Sequence, residues 1–466
     1  MFIGVSIFGS RAAGLGLAAV TAAGAALTGA AAAHAAPAPT PTLTETRLTP
    51  LALVPGSFDL GNDGLFFTSN TARTVDAAAT ITIDLRGLAK VATPVIQGDC
   101  AVKNLVAVCT SKMISVSLPS AHLASDTVGL GFTPLKGAPV GAQGSYTVSG
   151  TVAGYKLVGG TSTVTIGGPT LKVTSLPGQS GLRVGSTVNE PISFTNTGDR
   201  PSAGSEVLFE LTPGLAFGQS YRNCEYTALG EGYTAAVCRF GGTVALGEKL
   251  QLNAPLAVKV TPQALYTSVS AYALAENDPA LSGYIGSTPV VWHAGGGSAL
   301  GLRVLSAGHR SSVPAGTVAT FGNADQNGLV VGLQAKNTAD FGVTGAKVAG
   351  RAGSDVTVNL GLANHGPATL VTDSPPNLQF TLPPGVSAVR VPPTCGLADA
   401  DVPGVYDCGY GWGVVFTLPA GYQLDFPFVL RIDKVVKGAA GKVGLSGPPL
   451  PYDPNPRNNT AVVSVN

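Results

Sequence analysis

Short stretches in which apolar and polar residues alternate recur from one end of the chain to the other. Ile81, Ile83 and Leu85 alternate with Thr80, Thr82 and Asp84, the period-two signature of a strand with one buried face. Val356, Val358, Leu360 and Leu362 alternate with Thr357, Asn359 and Gly361, and Phe426, Phe428, Leu430 and Ile432 share one face of LDFPFVLRID. MISVSLP after Cys109, YTVSGTVAGYKLV, STVTI and the closing TAVVSV read the same way. Asn196-Thr197-Gly198, Asn364-His365-Gly366-Pro367 and Asp453-Pro454-Asn455-Pro456 punctuate the runs as turns, because Gly takes positive φ and Pro and Asn preset tight bends. No stretch of ten residues carries an amphipathic helical pattern. The expected class is all-β, built as β-sandwiches.

The pattern is also repeated on a larger scale. ITIDLRGLAKVATPVIQGDC, VLFELTPGLAFGQSYRNC and LQFTLPPGVSAVRVPPTC each place a strand, a Leu and a Gly ahead of a cysteine, and each cysteine has a second one close behind it. The six cysteines thus fall as Cys100 and Cys109, Cys224 and Cys238, Cys395 and Cys408. A chain of 466 residues suits about three domains, and the repeat predicts modules over 44–170, 171–293 and 337–466. Residues 294–336 form a Gly-rich connector, AGGGSALG at its start, with possible strands in GLRVLS and TVATFG.

Composition changes the picture in two ways. Charged residues are only 11% of the chain against a usual figure of about 25%, and the net charge is +1. That leaves no electrostatic case for nucleic acid or an anionic membrane. At the N-terminus, Arg11 precedes an apolar Ala/Gly/Leu run from Ala12 to Ala33, and Ala33-His34-Ala35 is a small-x-small cleavage pattern. Residues 1–35 read as a signal peptide for the ordinary secretion route, and 36–43 as a Pro-rich linker with Pro37, Pro39 and Pro41. No membrane span is expected in the mature chain. Export makes an even cysteine count meaningful, since thiols outside the cytosol are normally paired. Proximity favours three local disulfides, each worth about 3 kcal/mol in the chain-entropy picture.

VTVNLGLANHGPA, the Leu-Pro-Pro-Gly-Val at Leu382 to Val386, Cys395, Cys408 and DPNPRNNTAVVSV carry a family resemblance. The last module resembles the bacterial immunoglobulin-like surface repeat known as domain of unknown function family number eleven. The whole architecture resembles secreted and wall-associated proteins of actinobacteria. The match spans about 130 residues of the last module and weakens towards the first, which lacks the Asn-x-Gly-Pro turn. The resemblance implies tandem immunoglobulin-like β-sandwiches, an extracellular or cell-surface location and no enzymatic role. Such proteins often end in a sorting motif and an apolar span. Leu418-Pro419-Ala420-Gly421 has sorting-like letters, but the expectation places it between two strands, so covalent wall anchoring is not expected.

Candidate chemistry is sparse. His122, His293, His309 and His365 stand outside any recognisable catalytic context, and no strict Gly-x-Ser-x-Gly elbow exists; Gly178-Gln179-Ser180-Gly181 reads as a turn. Glu276-Asn277-Asp278 and the pair Asp399 and Asp401 are local acidic clusters in loops, where solvated carboxylates are the default. Calcium at Glu276–Asp278 or Asp453–Pro456 is the better functional alternative, although neither has the spacing of an EF-hand loop. Without CxxC or HxxxH, zinc is not expected. Tyr221, Tyr226 and Tyr233 near the second cysteine pair, and Tyr406, Tyr410 and Trp412 near the third, either form a binding edge or seat the loops by packing. Packing carries more weight. The expected function is a non-catalytic structural or adhesive protein without cofactor or metal, its partner an extracellular protein or polysaccharide. A carbohydrate- or polymer-binding accessory protein is the alternative.

Overall fold

A computed structural model describes residues 42–45, 50–55, 59–69, 75–116, 123–285, 290–319, 328–410 and 415–466. The signal peptide expected over 1–35, most of the linker, His122 and Trp412 lie outside them. The fold is all-β, with 56% strand and 2% helix in several sheets and no barrel. The largest apolar clusters fall in three stretches of chain, called here the first, second and third regions.

In the first region a five-stranded and a six-stranded sheet face each other. The alternation read from Thr80 to Leu85 lies in Val75–Asp84, where Ile81 and Ile83 are buried and Thr80 is exposed. Phe132 of one sheet meets Tyr146 of the other with ring centroids 5.4 Å apart. In the third region Phe426, Phe428, Leu430 and Ile432 are all fully buried while Asp425, Pro427 and Arg431 are exposed. A period of two on a twisted sheet gives this result without further instruction.

The second region draws on more sequence than its cysteine pair marks. Its seven-stranded sheet includes Gly328–Ala335, which runs antiparallel to Tyr266–Ala275, and its four-stranded sheet ends on Leu302–Ser306. Both strands come from the 294–336 segment. Gly178–Gly181 is a strand end rather than the expected turn. Gln179–Leu182 pairs in parallel with Gly328–Ala335, and the irregularity in that pairing sits at Gly181, whose φ is +72°. A partner about 150 residues away decided this, and no local signal carries it.

The second and third regions repeat one another bond for bond. Ser186 donates from N–H and Oγ to Arg183 O at 3.0 and 2.6 Å, and Ser354 does so to Arg351 O at 3.0 and 2.7 Å. Gly185 N–H donates to Val260 O and Gly353 N–H to Ile432 O, both at 2.7 Å. In every region a strand near the entry runs parallel to the last strand: Leu51–Leu53 with Gly160–Ile166, Gln179–Leu182 with Gly328–Ala335, and Ala346–Val348 with Thr460–Val465.

Candidate functional site

Each cysteine pair closes a β-hairpin. Cys100 faces Cys109, Cys224 faces Cys238 and Cys395 faces Cys408 across antiparallel ladders, each with Cα atoms 4.0 Å apart and each joined by a disulfide. The flanking bond recurs too: the residue after the second cysteine donates its N–H to the carbonyl before the first. These bonds are Thr110 to Asp99 at 3.1 Å, Arg239 to Asn223 at 3.0 Å and Gly409 to Thr394 at 3.1 Å. Cys100–Lys103 and Cys395–Leu397 are outermost in their sheets, and Cys224–Gly230 is covered only by the two-residue His293–Ala294. Each disulfide pins a strand at or next to a sheet edge to its inner neighbour. Paired cysteines fit a protein that folds in an oxidising compartment.

The joints between regions are tight. Between the first and second, Asp199 N–H donates to Gly168 O at 3.0 Å and Thr197 N–H to Thr170 O at 2.8 Å. Asn196, 1% exposed, ties this joint together. Its Nδ2 donates to Arg200 O and Val244 O, and its Oδ1 accepts from Thr170 and Gly198 N–H. Asn364, fully buried, repeats the arrangement at the next joint, donating to Ala368 O at 2.9 Å and Leu418 O at 2.8 Å and accepting from Gly366 N–H at 2.9 Å. Asn196 was legible as a turn former. Asn364 to Pro367 is not the expected turn but the irregular end of the strand Asp355–Pro367, bent at Gly366 with φ +84°. Neither asparagine was legible as a buried hub.

At the joint of the second and third regions, Leu265 leaves the second region and is 2% exposed within the core of the third. Thr369 N–H donates to Gln263 O at 2.8 Å, and Asn337 Nδ2 donates to Pro262 O and Ala264 O, both at 2.8 Å. Tyr266 packs edge-on against Tyr452 at 5.7 Å. Beside them lies a groove of about 550 Å³ lined by Pro213, Glu231, Gln263, Thr369, Thr417 and Tyr422.

The residues proposed for chemistry are scattered. His293, His309 and His365 are exposed on separate elements. Asp399 and Asp453 each use a carboxylate oxygen to accept the N–H two residues on, from Asp401 and Asn455, as local turns. The sorting-like Leu418-Pro419-Ala420-Gly421 is a turn between Phe416–Leu418 and Gln423–Ile432, with Leu418 O held by Asn364. Among the described residues no group of three or more His, Cys, Asp or Glu has the arrangement to hold a metal ion. No helix there is long and apolar enough to cross a membrane.

The tyrosines pack. Tyr226 stands edge-on to Phe217 at 5.3 Å while its hydroxyl accepts from Tyr221 N–H, Tyr406 stands against Phe428 at 5.6 Å, and Tyr410 against Phe416 at 4.9 Å.

Sequence reading missed a buried acid. Asp278, expected to be a solvated loop carboxylate, is instead 3% exposed and accepts from Ala280 and Ala319 N–H. Its field and that of Glu276 also reach Glu206, which is 1% exposed on Ser205–Leu211. Glu206 Oε1 has no hydrogen-bond partner, and Oε2 lies 3.5 Å from Arg239 Nε. Burial pushes Glu206 up to about 7, with Arg239 opposing the shift, and burial pushes Glu210 on the same strand face to about 7. The only local sign is Glu206-Val207-Leu208-Phe209-Glu210, two acids at period-two positions within an apolar strand.

No family model matches the chain, and no curated protein matches it. Among solved structures it is similar to Dpr2 Ig1-Ig2 in complex with DIP-Theta Ig1-Ig3, at 9% identity over 91% of this chain and 98% of that one, with a TM-score of 0.22. It is also similar to the C-terminal domain of the Streptococcus agalactiae AgI/II polypeptide BspA, at 12% identity over 64% of this chain and 99% of that one (TM-score 0.18). A third is the Yersinia pseudotuberculosis adhesin InvE, at 12% identity over 64% and 58% (TM-score 0.19). At such scores the likenesses carry no argument about function.

Proposed function

We propose that the chain is a secreted, non-catalytic structural or adhesive protein of the bacterial cell surface or extracellular space. In it three immunoglobulin-like modules form a stiff arm that holds its ends apart. The observation that carries this reading is the joint at Leu265. A side chain rooted in one module and buried in the core of the next makes bending cost the burial of a leucine. Together with the Asn337 and Thr369 bonds, it favours one fixed angle over a hinge. The disulfides support an oxidising location, and the resemblance of the last module to bacterial surface repeats agrees with it. The test is calorimetry on the processed full chain. The second and third modules are expected to unfold in one transition, and Leu265→Ala, costing about 2–5 kcal/mol, to split it into two. Independent unfolding of the modules in the unaltered protein would sink the reading, as would turnover of a hydrolase panel abolished by one point mutation.

The groove beside that joint favours a second reading, an accessory protein that binds an extracellular polysaccharide. Saturable binding in a polysaccharide pull-down, lost on Tyr422→Ala, would select it.

A further inference from the structure

The residue after Leu265 lines a second cleft on the joint of the second and third regions. Its volume is about 530 Å³, within the range of small-ligand sites, and Tyr266, Tyr452, Thr372, Asp373, Ser374 and Val415 lie along it. The core fixes its rings. Leu265 is buried in the third region, so Tyr266 emerges at this joint, 37% exposed. Tyr452 stands edge-on to Tyr266 at 5.7 Å and to the buried Phe341 at 6.3 Å. Its own carbonyl accepts from Ala339 N–H at 3.1 Å. The polar part of the wall begins on the strand Leu370–Thr372, which pairs with Phe416–Leu418 and is preceded by the Thr369 bond to Gln263 O. Thr372 Oγ1 accepts from Ser374 N–H at 3.0 Å, which turns the chain and leaves Asp373 exposed.

The cleft is furnished for a polyol. Neither tyrosine hydroxyl has a hydrogen-bond partner among the described residues, so both are open to a ligand. Thr372 and Ser374 add two more hydroxyls, and the Asp373 carboxylate can accept from two neighbouring hydroxyls at once. An exposed ring face suits the C–H face of a sugar. Among the described residues no lysine or arginine lines the cleft, so its one charge is negative and repels an acidic polymer. We propose that this cleft binds a neutral oligosaccharide, one sugar ring lying on Tyr266 and its hydroxyls held by Asp373, Thr372, Ser374 and Tyr452. The site goes beyond the accessory-protein reading, since no residue that lines it lines the groove at Tyr422.

Titration calorimetry of the processed full chain with cellohexaose, maltohexaose and mannohexaose is expected to show saturable binding of at least one, with a Kd of about 0.1–1 mM. Tyr266→Ala should weaken it about tenfold, and so should Asp373→Ala. Tyr266→Phe keeps the ring and should stay within about threefold, and Tyr422→Ala should change nothing. Asp373 is exposed, so its variant should keep the parent's melting temperature and read binding alone. No saturable binding of any of the three up to about 10 mM, or binding indifferent to either Tyr266→Ala or Asp373→Ala, would overturn the proposal. So would uptake of hexagalacturonate or a proline-rich peptide in place of the neutral sugars. Binding lost on Tyr422→Ala but kept on Tyr266→Ala would overturn it and leave the other groove as the site.

Discussion

Replacing Asn364 with alanine should lower the shared melting transition of the second and third regions. The side chain serves three backbone groups: Ala368 O at 2.9 Å, Leu418 O at 2.8 Å and Gly366 N–H at 2.9 Å. A buried polar group stripped of its partner costs about 1–3 kcal/mol. Allowing for a water entering the space, three such losses come to about 3–6 kcal/mol. The second and third regions melt as one larger unit, in which each kcal/mol lowers the midpoint by roughly 2 °C, so the shared transition should fall by about 5 °C or more. Asn364→Asp sharpens the test. It keeps the acceptor for Gly366 but sets an oxygen where Nδ2 faced two carbonyls. It should therefore be at least as damaging at neutral pH and recover in acid, where the protonated carboxyl donates again. His365→Ala, exposed on the same strand end, is the control and should stay within about 0.5 kcal/mol. Calorimetry with urea titration at two pH values measures all three. A loss below about 1 kcal/mol for Asn364→Ala would refute the reasoning that this network seats the strand end.

Two further predictions concern stability. Replacing Cys395 and Cys408 together with alanine should cost about 3 kcal/mol and raise hydrogen exchange first in the edge strand Cys395–Leu397; nonreducing peptide mapping of the parent should find only the three local links. Glu206 and Glu210 titrate from 4.5 up to about 7 on folding. The folded state therefore holds protons that the unfolded state releases, and the second region should lose stability as pH rises from about 4.5 through 7 and level off above it. Glu206→Gln with Glu210→Gln should flatten that slope and stabilise the protein at pH 8, read by urea midpoints across the range.

The strands were legible because their signal is local. Ile81 and Ile83, or Phe426 through Ile432, declare a buried face within a few residues, and each cysteine finds its partner within one hairpin. What could not be read depends on contacts that sequence distance hides. Asn196 and Asn364 reach carbonyls 48 and 54 residues away. Leu265 looks like the start of its own strand and packs in the following core. Glu206 has the same letters as a solvated strand acid, and only the folded chain buries it, with Glu276 and Asp278 near enough for their charges to reach it. The tyrosines were ambiguous for the same reason, since whether a ring faces water depends on which sheet arrives above it.

The parallel pairing of entry and exit strands determines how the molecule answers tension. When the chain is drawn from both ends, Leu51–Leu53, Gln179–Leu182 and Ala346–Val348 are dragged one way while their partners are dragged the other. The ladder bonds between them lie across the direction of force and must rupture together, where a hairpin hauled open from its mouth would surrender them singly. A chain laid out this way yields in abrupt steps.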